Sequence, residues 1–332
     1  MKYIIDGHYD ILMDVAARRK KGERQVIRRR YYPAFQKGGV TGIVASIFVD
    51  SQYLPYGALS VAMEQISALH CEIEETPDLL MLCTSADDFL RAAETGRIGF
   101  LLSFEGAEPV SSCLLLHGFY AAGVRGLGLA WSRRNAAADG CDFSGSLKKG
   151  GLTEFGRELV KEAENLYMIL DLSHLSDEGV EDVLSITSCP VIASHSNSRA
   201  VAGSNRNLTD CQMREIASRG GTVGLNGCSL LTAGPGVSPD QNGLTAHLDH
   251  MTEIMGEDHV AFGFDFCDSF FADDLSSSTD QMPERPFDIL SRAHEDLPAF
   301  LDHLRQHGYT ESHLAKLAGE NWLHTFRHIL KH

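Results

Sequence analysis

The feature that most constrains the fold of this chain is a repeated alternation of short apolar runs with segments of helical pattern. The runs are rich in Ile, Val, Leu and Phe with little polar alternation, which is typical of parallel strands buried on both faces. Several segments between them begin with a Ser or Thr followed by acidic residues, the pattern of a helix N-terminus. The eight runs are residues 3–6, 42–49, 98–103, 124–131, 168–172, 191–193, 222–226 and 260–265. We predict helix starts at Ser85, Thr153, Ser176 and Thr209, and helix stops at Gly96, Gly220 and Gly256.

Eight strand-like runs alternating with helices are the number found in a (β/α)8 barrel, which typically needs about 250 residues. The chain has 332 residues, so loops and a C-terminal helical extension from about Pro286 would account for the remaining length. An open, doubly wound sheet shows the same alternation, and counting alone does not separate the two folds. No linker-like change in composition divides the sequence. We therefore predict one α/β barrel domain that spans residues 1–332.

The charge of the chain argues against binding to nucleic acid or to an anionic membrane. Lys and Arg number 29 against 45 Asp and Glu, a formal net charge of −16. No segment has the length of a membrane span, and the N-terminus lacks the apolar core of a signal peptide. The 8 cysteines are scattered without a C-x-x-C pair, which indicates reduced thiols. We predict a cytoplasmic protein with no nucleic-acid or membrane partner.

Polar side chains occur at or just beyond the C-terminal ends of the apolar runs. In a barrel these ends all lie on one rim, where active sites are built. His8 and Asp10 lie on the same side of an extended chain, because side chains alternate along a strand. Taken alone, such a pair is more often a turn or a helix cap than a ligand pair. The complete set comprises His8, Asp10, Glu105, His174, His195, Asn226 and Asp265.

The residue types in this set suit metal-assisted hydrolysis of an amide. Three histidines, one aspartate and one glutamate could hold two divalent ions such as zinc, with one carboxylate bridging them. Two adjacent cations lower the pKa of a shared water and polarise a carbonyl oxygen. Asp265 could then accept a proton from the attacking water and return it to the leaving nitrogen. The alternative for Asp265 is a cap at the end of its strand.

Short strings along the chain resemble a known family. They are DGHYD (6–10), SFEG (103–106), GLTEFG (151–156), DLSH (171–174), ASH (193–195), NRN (205–207), GFDF (263–266) and GENW (319–322). In this order they resemble the renal, or membrane, dipeptidase family of zinc metallopeptidases, within the amidohydrolase superfamily, in its bacterial-type form. Each string is short, but the ordered set covers essentially the whole chain.

The resemblance implies a distorted (β/α)8 TIM barrel with a C-terminal helical extension. It implies hydrolysis of the peptide bond of dipeptides by a hydroxide activated at a dinuclear zinc site. In such a site His8 and Asp10 would hold one ion. His174 and His195 would hold the other, and Glu105 would bridge the two.

The resemblance also assigns roles around the metal site. Asp265 corresponds to the acid/base aspartate of the family. Arg206 corresponds to the arginine that binds the free carboxylate of the substrate, a role that suits the bidentate guanidinium. From the sequence alone, Arg206 could equally form a surface salt bridge. Homodimers are common in the family, so a homodimer is a further expectation.

Two positions depart from the pattern of the family. A histidine that contacts substrate after the fourth strand is replaced by Trp131, and a tyrosine after the seventh strand is replaced near Asn226 and Cys228. We predict that Trp131 and Asn226 contact the substrate. These departures leave the substrate open: a dipeptide, including one with a D-residue at its C-terminal side, or another small amide, lactam or N-acyl amino acid. A third alternative is a scaffold without metal or activity, which predicts the loss of ligand residues.

Two basic segments stand out in this acidic chain, at residues 18–21 and 28–30. They lack the interleaved aromatic residues and the motifs of a nucleic-acid site, so a solvated loop is the favoured interpretation. A further alternative follows from their position after the first strand. If the segment emerges at the active rim, its charge could favour acidic peptides.

Overall fold

The fold is built around one parallel sheet that closes almost completely into a barrel. A computed structural model describes residues 1–142, 150–267 and 287–331. Within these ranges the strands follow the order β1-β2-β4-β5-β6-β7-β8-β9, and β3 pairs with the first residues of β4. A parallel bridge between Tyr9 and Phe266 joins the two ends of the sheet. The strands are β1 Ile5–Tyr9, β2 Gly42–Ile47, β3 Leu80–Leu82, β4 Ile98–Glu105, β5 Val124–Gly128, β6 Ile169–Asp171, β7 Ile192–Ala193, β8 Thr222–Leu225 and β9 Val260–Phe262. The predicted (β/α)8 barrel is confirmed.

Helices alternate with the strands and surround the sheet. They are α1 Ile11–Lys20, α2 Tyr32–Gly38, α3 Ala58–Glu75, α4 Ala86–Glu94, α5 Cys113–Ala121, α6 Glu154–Asn165, α7 Asp177–Ile186, α8 Asp210–Ser218, α9 Ser229–Thr232, α10 Gln241–Met255, α11 Leu297–Gln306, α12 Glu311–Ala315 and α13 Asn321–Ile329. Shorter helical turns are Ile27–Tyr31, Ser51–Tyr53, Glu257–His259, Ala293–Asp296 and Lys316–Glu320. None of the described helices is long and apolar enough to cross a membrane.

The predicted helix starts are confirmed by side-chain caps. Ser85 and Asp88 form a reciprocal capping box at the start of α4, and Thr209 and Gln212 form another at the start of α8. Such caps satisfy backbone N–H groups that have no partner within the helix. The other two predicted caps, Thr153 and Ser176, accept hydrogen bonds from Gly156 N and Gly179 N. The predicted stops Gly96, Gly220 and Gly256 have φ angles of 71°, 76° and 84°.

All eight predicted strands differ from the observed ones by one to three residues at one end or both, and one strand is additional. Strand β3 was not predicted, because its three residues are too few to stand out from the apolar segment around them. Strand β1 spans Ile5–Tyr9 rather than residues 3–6, since it continues through the polar residues after Asp6. Strand β5 ends at Gly128, three residues before Trp131. Some polar side chains therefore lie nearer to or farther from a strand end than predicted, but they remain on the same rim of the barrel.

The C-terminal helices close the end of the barrel opposite that rim. Trp322 on α13 is fully buried and packs in one apolar cluster with Ile5, Val44 and Leu101. Its indole Nε1 donates a hydrogen bond to the carbonyl oxygen of Phe262, at 2.8 Å. The predicted C-terminal helical extension is therefore present, although its expected start near Pro286 lies outside the described residues. That residues 1–332 form one domain stays a prediction.

The basic segments lie away from the rim. Arg28 lies 3.6 Å from Asp78, and Arg30 lies 3.2 Å from Glu23. Asp78 stands between the end of α3 and the start of β3, on the face of the barrel opposite the C-terminal ends of the strands. The suggestion that this segment biases the active rim toward acidic peptides is therefore wrong. Arg28 and Arg30 pair with neighbouring carboxylates instead.

We predict that Gly263→Ala destabilises the protein by about 1–3 kcal/mol, because an added methyl group must force the barrel wall apart. An added Cβ at Gly263 would lie 1.8 Å from the carbonyl oxygen of Ser194. Gly118→Ala in α5 is the control: its Cβ meets nothing within 4 Å, and alanine in a helix gains about 0.5–1 kcal/mol over glycine. Urea denaturation measures both variants. Equal stability of Gly263→Ala and wild type would contradict the close approach of the strands.

Candidate metal centre

Five of the predicted side chains come together at the C-terminal ends of the strands. His8 lies within β1, and Glu105 is the last residue of β4. His174 and His195 lie in the segments that follow β6 and β7, and Asp10 separates β1 from α1. The parallel sheet therefore brings together residues that are far apart in sequence, as predicted for side chains at the C-terminal ends of the barrel strands.

Glu105 lies between two pairs of these side chains. Its Oε1 is 3.0 Å from His174 Nε2 and 3.7 Å from His195 Nε2. Its Oε2 is 3.5 Å from His8 Nε2, which is also 3.5 Å from Asp10 Oδ1. The His8, Glu105, His174 and His195 residues are each less than one-tenth exposed, whereas the Asp10 side chain is 19% exposed. The cluster thus has a buried floor and opens on the side of Asp10.

The donor set of this cluster fits a divalent cation. Within the described part of the chain, His8 Nε2 and Glu105 Oε2 are buried without a hydrogen-bond partner. A buried polar atom left without a partner costs about 1–3 kcal/mol, and two of them side by side call for an explanation. Ligand atoms of His8, Asp10 and Glu105 lie within 4.8 Å of one another, and so do those of Glu105, His174 and His195. Imidazole and carboxylate groups are the ligands that zinc takes in catalytic sites.

Hydroxyl groups hold two of the imidazole rings in place. Ser132 Oγ lies 2.9 Å from His174 Nδ1, and Ser194 Oγ lies 2.7 Å from His195 Nδ1. The Ser194 hydroxyl in turn donates a hydrogen bond to the carboxylate of Asp171. Contacts of this kind at Nδ1 leave Nε2 of each ring directed into the cluster, and they orient metal-binding histidines in other proteins. Neither serine was predicted as a site residue, although Ser132 follows Trp131 and Ser194 precedes His195 in the sequence.

The backbone is held in an uncommon conformation at two of the site residues. His174 has a φ of 70° and Asp265 a φ of 59°, both in the left-handed region that side chains other than glycine rarely adopt. The carbonyl oxygen of His174 accepts a hydrogen bond from Cys141 N at 2.7 Å, and Asp265 N donates to the carbonyl oxygen of His8 at 3.2 Å. Such strain concentrates at functional sites, where the surrounding structure maintains it.

Asp265 lies at the open side of the cluster. Its Oδ1 is 3.9 Å from His8 Nε2, and its Oδ2 accepts a hydrogen bond from Asn226 Nδ2 at 2.9 Å. Burial, opposed by the nearby His8 and assisted by the charge of Asp10, raises the pKa of Asp265 to about 6. A carboxyl group with such a pKa can both take up and release a proton near neutrality. Asp265 follows β9 and contacts both the His8 imidazole and the Asn226 side-chain amide. A residue that only capped the end of the strand would not need these two contacts.

The buried histidines also have shifted pKa values. Burial, together with the positive charge of Arg206, lowers the pKa of His174 well below its usual range. Burial likewise lowers the pKa of His195, with His8 and Arg206 adding to the effect. Both rings are therefore neutral near pH 7, the form in which imidazole binds a metal ion.

Arg206 is buried beside the cluster. It is 7% exposed, and its guanidinium donates hydrogen bonds to Ser196 Oγ and to the carbonyl oxygen of His195, each at 2.7 Å. No carboxylate in the described ranges forms an ion pair with it. The alternative of a surface salt bridge is therefore wrong. A buried arginine without an acidic partner can still accept an anionic group from a ligand.

Trp131 and Asn226 occupy different positions relative to the cluster. The Trp131 ring is partly exposed and lies 5.7 Å from the His174 ring and 5.4 Å from that of Phe48. Asn226 is fully buried, and its Oδ1 accepts a hydrogen bond from Cys228 N at 2.7 Å. Its Nδ2 is the donor to Asp265 described above. The predicted substrate contacts of Trp131 and Asn226 stay predictions.

Comparison with known proteins connects this geometry to one family. The family model described as membrane dipeptidase, peptidase family M19, matches residues 2–331. The solved structure of dipeptidase AC, a metallo peptidase of family M19, is 30% identical and has a TM-score of 0.85 over 99% of this chain and 98% of its own. A metallo peptidase from Rhodobacter sphaeroides, solved with a phosphinate mimic of the dipeptide L-Ala-D-Ala, is 29% identical with a TM-score of 0.83 over 98% of this chain and 99% of its own. Dipeptidase verJ of Clonostachys rogersoniana is 32% identical over 219 residues, which cover 66% of this chain and 55% of verJ.

Proposed function

The chain belongs to the membrane dipeptidase family, peptidase family M19, and from this premise we propose that it hydrolyses dipeptides at a dinuclear zinc site. Its relatives are metallo-dipeptidases, so the chain is a hydrolytic enzyme. The observation that carries the proposal is the position of Glu105 between two ligand pairs, with its Oε2 and His8 Nε2 buried and unpaired within the described ranges. The third alternative, a scaffold without activity, is wrong: family membership contradicts it, and all five expected ligands are present.

In this proposal Glu105 would serve as a ligand to both zinc ions. His8 and Asp10 would hold one ion, and His174 and His195 would hold the other. When bound, the ions would lower the pKa of a water molecule and polarise the carbonyl group of the scissile bond. Hydroxyl groups already orient the His174 and His195 rings toward the cluster, which reduces the reorganisation that metal binding would require.

Asp265 is proposed to move the proton. Asn226 holds Oδ2 of this carboxylate through a hydrogen bond, so that Oδ1 remains directed toward His8. Oδ1 can accept the proton of the attacking water and deliver it to the nitrogen that leaves. Asn226 then acts by positioning Asp265. Its full burial supports this role more than a direct contact with substrate.

Arg206 is proposed to bind the free carboxylate at the C-terminal end of the dipeptide. Its guanidinium is fixed by Ser196 and by the carbonyl oxygen of His195, and no described carboxylate neutralises it. A fixed arginine beside the ligand cluster would set the distance between the substrate's carboxylate and its peptide bond. We further propose that the C-terminal residue can have the D configuration. The ligand of the Rhodobacter relative, a mimic of L-Ala-D-Ala, supports this.

A second candidate substrate class is an N-acyl amino acid or another small amide or lactam. Trp131 favours it, because this large ring lies beside His174 at the position where the family has a histidine that contacts the substrate. A panel of L,L-dipeptides, L,D-dipeptides and N-acetyl amino acids, assayed on zinc-replete protein, separates the two classes. We expect hydrolysis of dipeptides with the L,D members among the best. Hydrolysis of N-acetyl amino acids with no dipeptide activity would replace the proposal by its alternative.

Asp265→Asn and Glu105→Gln each remove one negative charge with little change in shape. We expect the first variant to lose turnover and the second to lose zinc. Asp265→Asn should keep its zinc but lose about 10²–10⁴-fold in kcat, since positioned proton transfer contributes that much. Glu105→Gln should bind less zinc, because both ions lose their shared ligand. Elemental analysis and kcat on the same samples measure both effects. Full activity in Asp265→Asn would remove this residue from the chemistry, and normal zinc content with normal turnover in Glu105→Gln would refute the bridge.

The role of Arg206 predicts a loss of selectivity in Arg206→Met. A hydrogen bond to a charged group contributes about 1.5–3 kcal/mol, so wild type should prefer a dipeptide over its C-terminal amide by about 10- to 100-fold in kcat/KM. The variant should process both at the same low rate. Arg157→Met is the matched control, because Arg157 pairs with Asp182 at 2.5 Å. If Arg206→Met keeps the full preference for the free carboxylate, another group binds it.

A further inference from the structure

Asp171 lies next to the candidate metal centre and has no part in the function proposed so far. It is the last residue of β6, it is buried, and its two carboxylate oxygens have different partners. Oδ1 accepts hydrogen bonds from Ser173 N at 3.0 Å and from Ser194 N at 2.9 Å. Oδ2 accepts a hydrogen bond from the hydroxyl of Ser194. One oxygen of Asp171 is therefore bound by the backbone, and the other by a side chain of the site.

The Ser194 hydroxyl connects Asp171 to the histidines of the centre. Ser194 Oγ is 2.7 Å from Nδ1 of His195 and 3.5 Å from Nδ1 of His8. The two imidazole rings are stacked, with 3.6 Å between their centroids, so the same hydroxyl lies beside both. The contact with His195 is the shorter one and the one that can be assigned a direction.

The direction follows from what each group can donate. A carboxylate only accepts hydrogen bonds, whereas a hydroxyl has one hydrogen to donate and two lone pairs that accept. Asp171 Oδ2 takes the hydrogen of Ser194, so Ser194 Oγ must be the acceptor toward His195 Nδ1. Burial lowers the pKa of His195, so its ring is neutral and carries hydrogen on one nitrogen only. That hydrogen is then on Nδ1, and Nε2 keeps the lone pair that a metal ion needs.

We propose that Asp171 is a positioning residue that acts through Ser194 to keep the hydrogen of His195 on Nδ1 and so leaves Nε2 free to bind the cation. The inference rests on the proposed metal centre and extends it by one residue. Partners of this kind fix which nitrogen of a metal-binding histidine is available, and their loss weakens metal binding.

The competing interpretation is that Asp171 only fixes the backbone after β6 and β7, through the amides of Ser173 and Ser194. Asp171→Asn separates the two interpretations, because asparagine has nearly the same shape and can still accept from both amides. Its side-chain oxygen must take the place of Oδ1, so its NH2 group faces the Ser194 hydroxyl. The hydroxyl then accepts from that NH2 group and turns its own hydrogen to His195 Nδ1. The imidazole hydrogen is driven to Nε2, which can no longer bind a metal ion.

The hydrogen position can be measured without any metal. In ¹⁵N NMR of the metal-free protein with labelled histidines, a ring nitrogen that bears hydrogen is distinguished from one that does not, and His195→Gln identifies the His195 signals. We expect the hydrogen on Nδ1 in wild type and on Nε2 in Asp171→Asn. Zinc affinity, measured by competition with a chelator, should fall about 10–100-fold in Asp171→Asn.

Asp88→Asn is the matched control. Asp88 Oδ2 also accepts hydrogen bonds from a backbone amide and from a serine hydroxyl, Ser85 N and Ser85 Oγ, each at 3.0 Å. It lies on α4, where the next residue, Phe89, stacks on Phe326 of α13 at the closed end of the barrel. Its zinc affinity and its His195 signals should match those of wild type.

The outcomes distinguish this inference from the proposed function. An unchanged zinc affinity in folded Asp171→Asn, or a His195 hydrogen that stays on Nδ1 there, would overturn the role of Asp171 and leave the dipeptidase proposal intact. If Asp171→Asn does not fold, the metal-free wild-type protein still decides, because a hydrogen on Nε2 of His195 would overturn the inference. Failure of the wild-type protein to bind zinc would overturn both proposals. Zinc binding without dipeptide hydrolysis would overturn only the proposed activity.

Discussion

The position of Glu105 is the constraint on which the rest of the site depends. This carboxylate ends β4, the longest strand of the barrel, whose residues are all buried. One of its oxygens faces His174 and His195, and the other faces His8. A buried carboxylate costs free energy unless it is paired or bound to a cation. Burial and the charge of Asp10 accordingly raise the pKa of Glu105 well above its usual range in the metal-free protein. Two carboxylates so close together in a buried site repel each other, and a bound cation would relieve that repulsion.

Packing within the barrel holds the side chains around Glu105 in place. The closed end is filled by apolar side chains around Trp322, and the middle is narrowed by glycines that let neighbouring strands approach the carbonyl oxygen of Ser194. Ser194 therefore joins the wall of the barrel to the site, because its hydroxyl contacts both Asp171 and His195. Close packing of this kind holds ligands with little freedom, which reduces the reorganisation that binding and catalysis require.

Much of the fold and the positions of the site residues could be predicted from the sequence. In a barrel, a residue that follows a strand lies on a known rim, whichever strand it follows. His8, Glu105 and His195 were assigned to one rim because each follows or ends an apolar run, and parallel strands end on the same side. The strand count was less accurate: β3 is short and lies beside only the first residues of β4. Its residues carry no signal that separates them from the surrounding apolar segment.

The contacts around the site could not be predicted in this way. The hydroxyl contacts of Ser132 and Ser194, the left-handed backbone at His174, and the burial of Arg206 depend on how close side chains from different strands approach. The spacing of residues along the sequence does not determine those distances. The same holds for the basic segment at residues 28–30, which follows the first strand but lies near the end of α3. One of its partners, Asp78, follows a helix that the sequence does not place beside it.

Anomalous X-ray diffraction at the zinc edge, from crystals grown with zinc, would locate the ions of the proposed centre. We expect two peaks, one on each side of Glu105, with His8 and Asp10 next to one and His174 and His195 next to the other. A single peak not in contact with Glu105, or no peak among these five side chains, would contradict this proposal.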